Sequence, residues 1–168
     1  FQDKLGTVLD KCERVSQLSR QIAEQLSANP IHCMRAAELS KCDLLTSMVG
    51  EFADLQGLMG SYYAANDGEA PEVAQAIQEQ YQPRFAGDDL PASETGAILA
   101  VADKLDTMVG LFGIGQPPTG SKDPFALRRS AIGILRVLVE KPLELDLKWL
   151  IKVSMESFPD ELLRADTG

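Results

Sequence analysis

Residues 93–112, SETGAILAVADKLDTMVGLF, decide the fold. Ser93 offers a side-chain oxygen to the free amides of a helix start, and Ile98, Val101, Ala102, Leu105, Met108, Val109 and Phe112 then recur at three- and four-residue steps. That spacing predicts a helix with one broad apolar face. Upstream, Leu5, Val8, Leu9, Cys12, Val15, Leu18, Ile22 and Leu26 mark a first amphipathic helix that Asn29-Pro30 ends. Pro30 suits a first helical position, and Met34, Ala37, Cys42, Leu45, Met48, Val49, Phe52, Leu55 and Met59 predict one long helix, with room for a kink, reaching Tyr62-Tyr63. Asn66-Asp67-Gly68 is turn chemistry, and Val73, Ala76, Ile77 and Gln80-Tyr81 mark a shorter helix stopped by Pro83. Downstream, Asp123-Pro124 reads as an N-cap and first-position pair, opening a helix with Phe125, Ala131, Ile132, Leu135, Leu138 and Val139 on its inner face. Lys141-Pro142 closes it. A last stretch carries Leu147, Leu150, Ile151 and Phe158, with Trp149 off the stripe and Pro159 at its end. Nothing alternates with period two, and no repeat shows. The expected fold is all-α, a compact orthogonal multi-helix bundle forming a single domain over 1–168.

A chain of 168 residues, 45% hydrophobic and 24% charged, has the profile of a soluble globular domain and can bury about two-thirds of its unfolded surface. Its three cysteines, Cys12, Cys33 and Cys42, lack paired short spacing, which argues against a disulfide framework and for a reducing cytoplasm. No apolar run approaches the ~18 residues of a membrane span, so no membrane is expected among the partners. The start, Phe1-Gln-Asp-Lys, has no basic and apolar leader and no Met, so a piece of a longer protein is expected. A net charge of -9 argues against a polyanion binder held by a general positive field. Any nucleic-acid contact must be local.

His32 is the only histidine, which excludes His-rich metal clusters and two-histidine helix motifs. His32-Cys33 with Cys42-Asp43 contains zinc-ligand types, but the spacing matches no compact finger, and helix cysteines are commonly small core residues. The loop from Gly115 to Lys122 superficially suggests a phosphate loop. It lacks the preceding strand, and its Lys follows the Ser instead of preceding it. What survives is a helix start beside Lys122, with Arg128, Arg129 and Arg136 following, the last two two turns apart on one side. This is the densest basic cluster in an acidic chain, open to reading as a solvated, acid-paired face or as a nucleic-acid contact. Asp43 and Asp103 fall in helical text that reads as core, where a carboxylate must be capped, paired or metal-bound.

The order of helices, with AxxLSKCDL (36–44) and AVADKLD (100–106), resembles the HD domain, an all-α fold whose metal-dependent phosphohydrolases carry H…HD…D. Cys42 stands where that pattern has its second histidine, Asp43 and Asp103 match its aspartates, and the first histidine would fall near Lys11 or Cys12. Two carboxylates without imidazoles could hold at most a weakly bound, hydrated cation, so no metal is expected. A much closer resemblance is to the β-subunit family of bacterial heterotetrameric (α2β2) glycyl-tRNA synthetases. It is carried by FQDKLGTVLDKCERV (1–15), KCDLLTSMVGEFADLQGLMGSYYA (41–64), AIQEQYQPRFAGDDLP (76–91) and AVADKLDTMVGLFGIGQPPTGSKDPFALRRSAIGILR (100–136), nearly the whole chain.

The resemblance implies an internal HD-like domain, degenerate in its metal motif, in an enzyme that joins glycine to tRNA(Gly) in the cytoplasm. ATP and Mg would be used through the α subunit, leaving this segment no cofactor and no catalytic residue. Arg84, Lys122, Arg128, Arg129 and Arg136 become tRNA-contact candidates, with Cys42, Asp43 and Asp103 as vestigial metal-motif positions. Phosphate contacts of this kind weaken with salt, and duplex RNA is read largely by backbone shape, so a few placed arginines suffice. Two alternatives remain: a purely structural spacer orienting flanking domains, and a metal-dependent HD phosphohydrolase.

Overall fold

Ser93 does cap a helix: its Oγ accepts from Gly96 N at 2.9 Å. The computed structural model describes residues 2–163, whose regular elements are helices with no strand among them. The expected all-α class therefore holds. The elements are α1 (Val8–Gln25), α2 (Pro30–Leu39), α3 (Ser47–Glu51), α4 (Leu58–Asn66), α5 (Pro71–Glu79), α6 (Glu94–Gly113), α7 (Leu127–Glu140), α8 (Leu147–Met155) and α9 (Asp160–Leu163). Short 3-10 turns lie at Asp3–Leu5, Cys42–Leu45 and Ala53–Leu55. No described helix is long and apolar enough to cross a membrane.

The α6 helix is the axis, packing against α1, α2, α5, α7 and α8. Every residue from Thr95 to Ala102 is buried, because neighbours cover this half-helix on all sides. Small side chains there, Gly96, Ala97, Ala100 and Ala102, let those neighbours approach. The main core gathers Val15, Leu18 and Ile22 of α1, Ile77 of α5 and Ile134 and Val137 of α7 around Ile98 and Leu99. A second cluster, Leu5, Leu111, Ile114, Leu127 and Phe158, sits at the far end of α6.

Three expectations are corrected. The first helix starts at Val8, since Thr7 and Asp10 form a reciprocal capping box there and Leu5 belongs to the preceding 3-10 turn. The stretch from Pro30 to Tyr63 is broken into α2, a 3-10 turn, α3, another 3-10 turn and α4. There the Asp43 carboxylate accepts from Gly57 N (2.6 Å) and Gly60 N (3.1 Å) at the start of α4, and Gly57 adopts φ +81°, a conformation closed to a continuing helix. Finally, α7 begins at Leu127. Asp123 does cap it, accepting from Leu127 N at 2.8 Å and Arg128 N at 3.0 Å, but across a turn in which Ala126 is left-handed. The expected inner face of α7 is likewise shifted: Leu127, Ile134 and Val137 face the core, whereas Phe125, Ile132, Leu135 and Val139 are exposed. With Met108, Phe112, Ile151 and Met155, Leu135 lines an open apolar groove of about 490 Å³ between α6, α7 and α8.

Candidate functional site

The α1 and α6 helices face each other with charges inside. Lys11 and Arg14 lie one turn apart on α1, and Asp103 and Asp106 one turn apart on α6. The Lys11 ammonium lies 3.3 Å from Asp106 Oδ2 and 3.4 Å from Asp103 Oδ1, and donates to Thr107 Oγ1 at 2.8 Å. Arg14 forks onto Asp106 at 2.7 and 3.1 Å. From the other side Lys41 comes within 3.3 Å of the same Asp103 Oδ1, donates to Gln80 Oε1 at 2.7 Å and stands 4.3 Å over the Tyr81 ring. Burial opposes charge on Asp103, but Lys11, Lys41 and Lys104 outweigh it and hold the carboxyl below its ordinary value. Burial likewise raises the Tyr81 phenol, with Asp103 and Asp43 pushing the same way.

These residues do not fit a metal. Two ammonium groups already sit against Asp103, where a cation would have to bind. Asp43 spends Oδ2 on two backbone amides, leaving one buried oxygen, Oδ1, without a hydrogen-bond partner. Hard divalent cations take about six or more oxygens. No group of three or more His, Cys, Asp or Glu side chains is arranged to hold an ion among the described residues. Cys42, expected on a buried face, is exposed, its thiol 3.8 Å from Glu38 O, whereas Cys12 and Cys33 are buried. Burial raises the Cys33 thiol to about 11. A thiol reagent therefore modifies one cysteine of the native chain fast and the other two more than ~100-fold more slowly, with unfolding as their route to reaction. Mass spectrometry of timed alkylation checks this, and comparable rates at all three would contradict the burial.

The five basic candidates divide into three groups. Arg84 and Arg129, on different elements, line one cavity of about 630 Å³ together with Tyr81, Asp103 and Lys104. Arg84 also pairs with Asp88 at 3.0 Å. Arg136 is committed elsewhere, to Glu140 at 2.8 Å and to Asp88 O at 3.1 Å, so it braces the 83–93 loop. Lys122 and Arg128 are exposed beside the start of α7, Lys122 in a tight turn closed by paired backbone bonds with Thr119. Lys122, Arg128 and Arg129 make no ion pair among the described residues.

Sequence reasoning missed Lys104, whose ammonium donates to Gln82 O at 2.9 Å and lies 3.3 Å from Gln80 O on the cavity wall. Burial lowers it to about 8, against the pull of Asp103, and Lys41 and Lys11 lower it further. The cavity thus brings together Arg129, which makes no ion pair among the described residues, Arg84, which already holds Asp88, and Lys104, held by two backbone carbonyls, a cationic rim on a polar interior.

A family model described as glycyl-tRNA synthetase beta subunit matches residues 1–167. The chain is 57% identical over 166 residues to the glycine–tRNA ligase beta subunit of Citrobacter koseri. It is 56% identical over 166 residues to those of Shigella boydii and Escherichia coli. Each comparison takes in 99% of this chain and 24% of the relative, so the chain spans about a quarter of the length of the curated relatives it matches.

Proposed function

The chain belongs to the glycyl-tRNA synthetase β-subunit family, and from that membership we propose that it is a non-catalytic, tRNA-facing domain of a cytoplasmic glycine–tRNA ligase. In this reading the holoenzyme joins glycine to tRNA(Gly) with ATP and Mg through the α subunit of an α2β2 assembly. This domain contributes cations to the RNA. The observation that carries the reading is the meeting of Arg84, Arg129 and Lys104 on one cavity of a chain whose net charge is -9. Lys122 and Arg128, exposed on the neighbouring turn and helix start, extend that positive surface. The acidic remainder repels RNA elsewhere, which favours a single docking face.

The phosphohydrolase reading has no favouring cluster of metal-ligating side chains among the described residues. Lys11 and Lys41 sit against the Asp103 carboxylate, and the single histidine of the chain, His32, lies outside the H…HD…D pattern. The spacer reading does have one supporting observation, the apolar groove between α6, α7 and α8, a face suited to packing against another domain.

Replacing both Arg128 and Arg129 by Glu separates the two. In the holoenzyme, the tRNA-facing reading expects the Michaelis constant for tRNA to rise about tenfold or more, since two phosphate contacts become repulsions. Glycine-dependent ATP–pyrophosphate exchange, which needs no tRNA, keeps its rate. Unchanged tRNA kinetics would refute the assignment and leave the spacer.

A further inference from the structure

The 630 Å³ cavity is larger than a phosphate contact requires. Its volume lies in the ~300–1,000 Å³ range of pockets that enclose a small molecule, and its lining is half polar in character. An RNA duplex cannot enter such a space, because its bases are stacked and paired. A single nucleotide swung out of the stack can.

The side chains point the same way. Gln56 from one stretch, and Gln78 and Gln82 from either side of the end of α5, line the cavity; Gln56 and Gln78 are exposed and Gln82 half-buried, and their side-chain amides make no hydrogen bond among the described residues. Each carboxamide presents a donor and an acceptor together, the complement of a base edge. Gln80, next to them, shows the contrast: its amide is fully spent on Lys41, Ser40 O and Ile77 O. Deeper in, Lys104 donates to two backbone carbonyls and the Lys41 ammonium stands over the Tyr81 ring, so both wall groups already have partners within the chain. Arg84, which also holds Asp88 at 3.0 Å, and Arg129 are exposed on the same lining and supply positive charge for the phosphate of a nucleotide whose base enters. Asp54, also on the lining and exposed, adds an acceptor for an exocyclic amino group.

Resting on the tRNA-facing reading, we infer that this cavity captures one unstacked nucleotide of the tRNA, with its base among the glutamine amides and its phosphate between Arg84 and Arg129. Recognition is then local and base-sensitive, unlike the shape-based contact of Lys122 and Arg128.

The test fills the cavity. Ser130→Trp on α7 and Ala53→Trp on the 3-10 turn before α4, both on the cavity lining, are placed separately in the full-length β subunit assembled with its α subunit, with melting curves confirming that each variant folds. Arg128→Glu, outside the cavity, serves as the comparison. Binding of tRNA(Gly) is measured by filter retention, and nucleotide mobility by 2′-hydroxyl acylation. Both filled variants are expected to weaken binding about tenfold and to restore reactivity at one nucleotide that the wild type protects, with other protections kept. If filling changes neither affinity nor the reactivity pattern while Arg128→Glu weakens binding, the nucleotide pocket is overturned and the tRNA-facing reading stands. If none of the three variants changes affinity, both fall. Adenylate, guanylate, cytidylate or uridylate that binds the wild type but not the filled variants is expected to compete with tRNA(Gly), and binding in the cavity without competition would overturn the proposal. A mononucleotide bound by the wild type as tightly as the tRNA would instead assign the cavity to a free metabolite and overturn the proposal.

Discussion

Asp106→Asn lowers the stability of the domain by about 3–5 kcal/mol, the usual result of removing one partner from a buried charge cluster. Asp106 is 2% exposed and receives both the Arg14 fork and the Lys11 ammonium. Asn leaves one acceptor oxygen but no charge and puts an amide NH2 against the guanidinium, so Arg14 loses its ionic fork and keeps the Leu5 carbonyl at 3.0 Å and its place over the Phe158 ring at 4.5 Å. The expected fall in melting temperature is about 10 °C for a domain of this size. Replacing the whole group, Lys11→Met, Arg14→Met and Asp106→Leu together, should cost far less than the single change, because no charge is then stranded. A loss under 1 kcal/mol in the single variant would show that α1 and α6 are held by packing alone. Asp103 adds a pH signature. Its folded carboxyl titrates below the ordinary value of 3.8, so its stabilisation is complete above that value and is lost as the pH falls through the folded one. The stability gap between wild type and Asp103→Asn should therefore be constant near neutrality and narrow below about pH 4.

Gly96→Ala, a change that ordinarily strengthens a helix by about 1 kcal/mol, should here destabilise by about 2–3 kcal/mol. A Cβ at Gly96 would come within 1.9 Å of Glu79 Oε2 and 2.8 Å of Ser93 Oγ. The Glu79 carboxylate is the clamp on the start of α6, accepting from Ala92 N at 2.9 Å, from Ser93 N at 3.3 Å and from the Ser93 hydroxyl. The added methyl group expels that carboxylate, and charge-assisted hydrogen bonds of about 1.5–3 kcal/mol each are broken or bent. Glu79→Ala removes the obstruction, so the double variant should be more stable than the sum of the two single losses predicts. Chemical denaturation of the four proteins measures the coupling, and a higher melting temperature for Gly96→Ala would refute the clamp.

The long axis of the bundle is legible in the text because α6 is bracketed by a capping serine and a glycine, with an apolar stripe between. The region from Pro30 to Tyr63 is not. Its apolar spacing runs straight through two 3-10 turns, and what interrupts the helix is Asp43 bonding to amides at Gly57 and Gly60, a partnership that periodicity cannot register. On α7 the error has the opposite origin: Leu135 and Ile132 follow helical spacing yet face the groove and solvent, so an exposed apolar stripe imitates a core. In the site, Arg84 and Arg129 stood out as basic residues in an acidic chain. Lys104 and the glutamines did not, since a lysine in mid-helix and glutamines around a helix end and in a loop read as solvated. The buried cluster did leave a trace: Lys11 and Arg14, one turn apart, interrupt the apolar positions of α1, and Asp103 and Asp106 do the same on α6. Matching those two pairs would have found it.

Lys11 and Lys41 act as counterions tethered to the chain, and dialysis cannot remove them. Charges this deeply enclosed are little affected by dissolved electrolyte, so the scaffold beneath the cavity should be equally firm in dilute and concentrated buffer. A salt titration of RNA affinity then reports the rim cations alone, and its logarithmic slope counts how many of them touch phosphate.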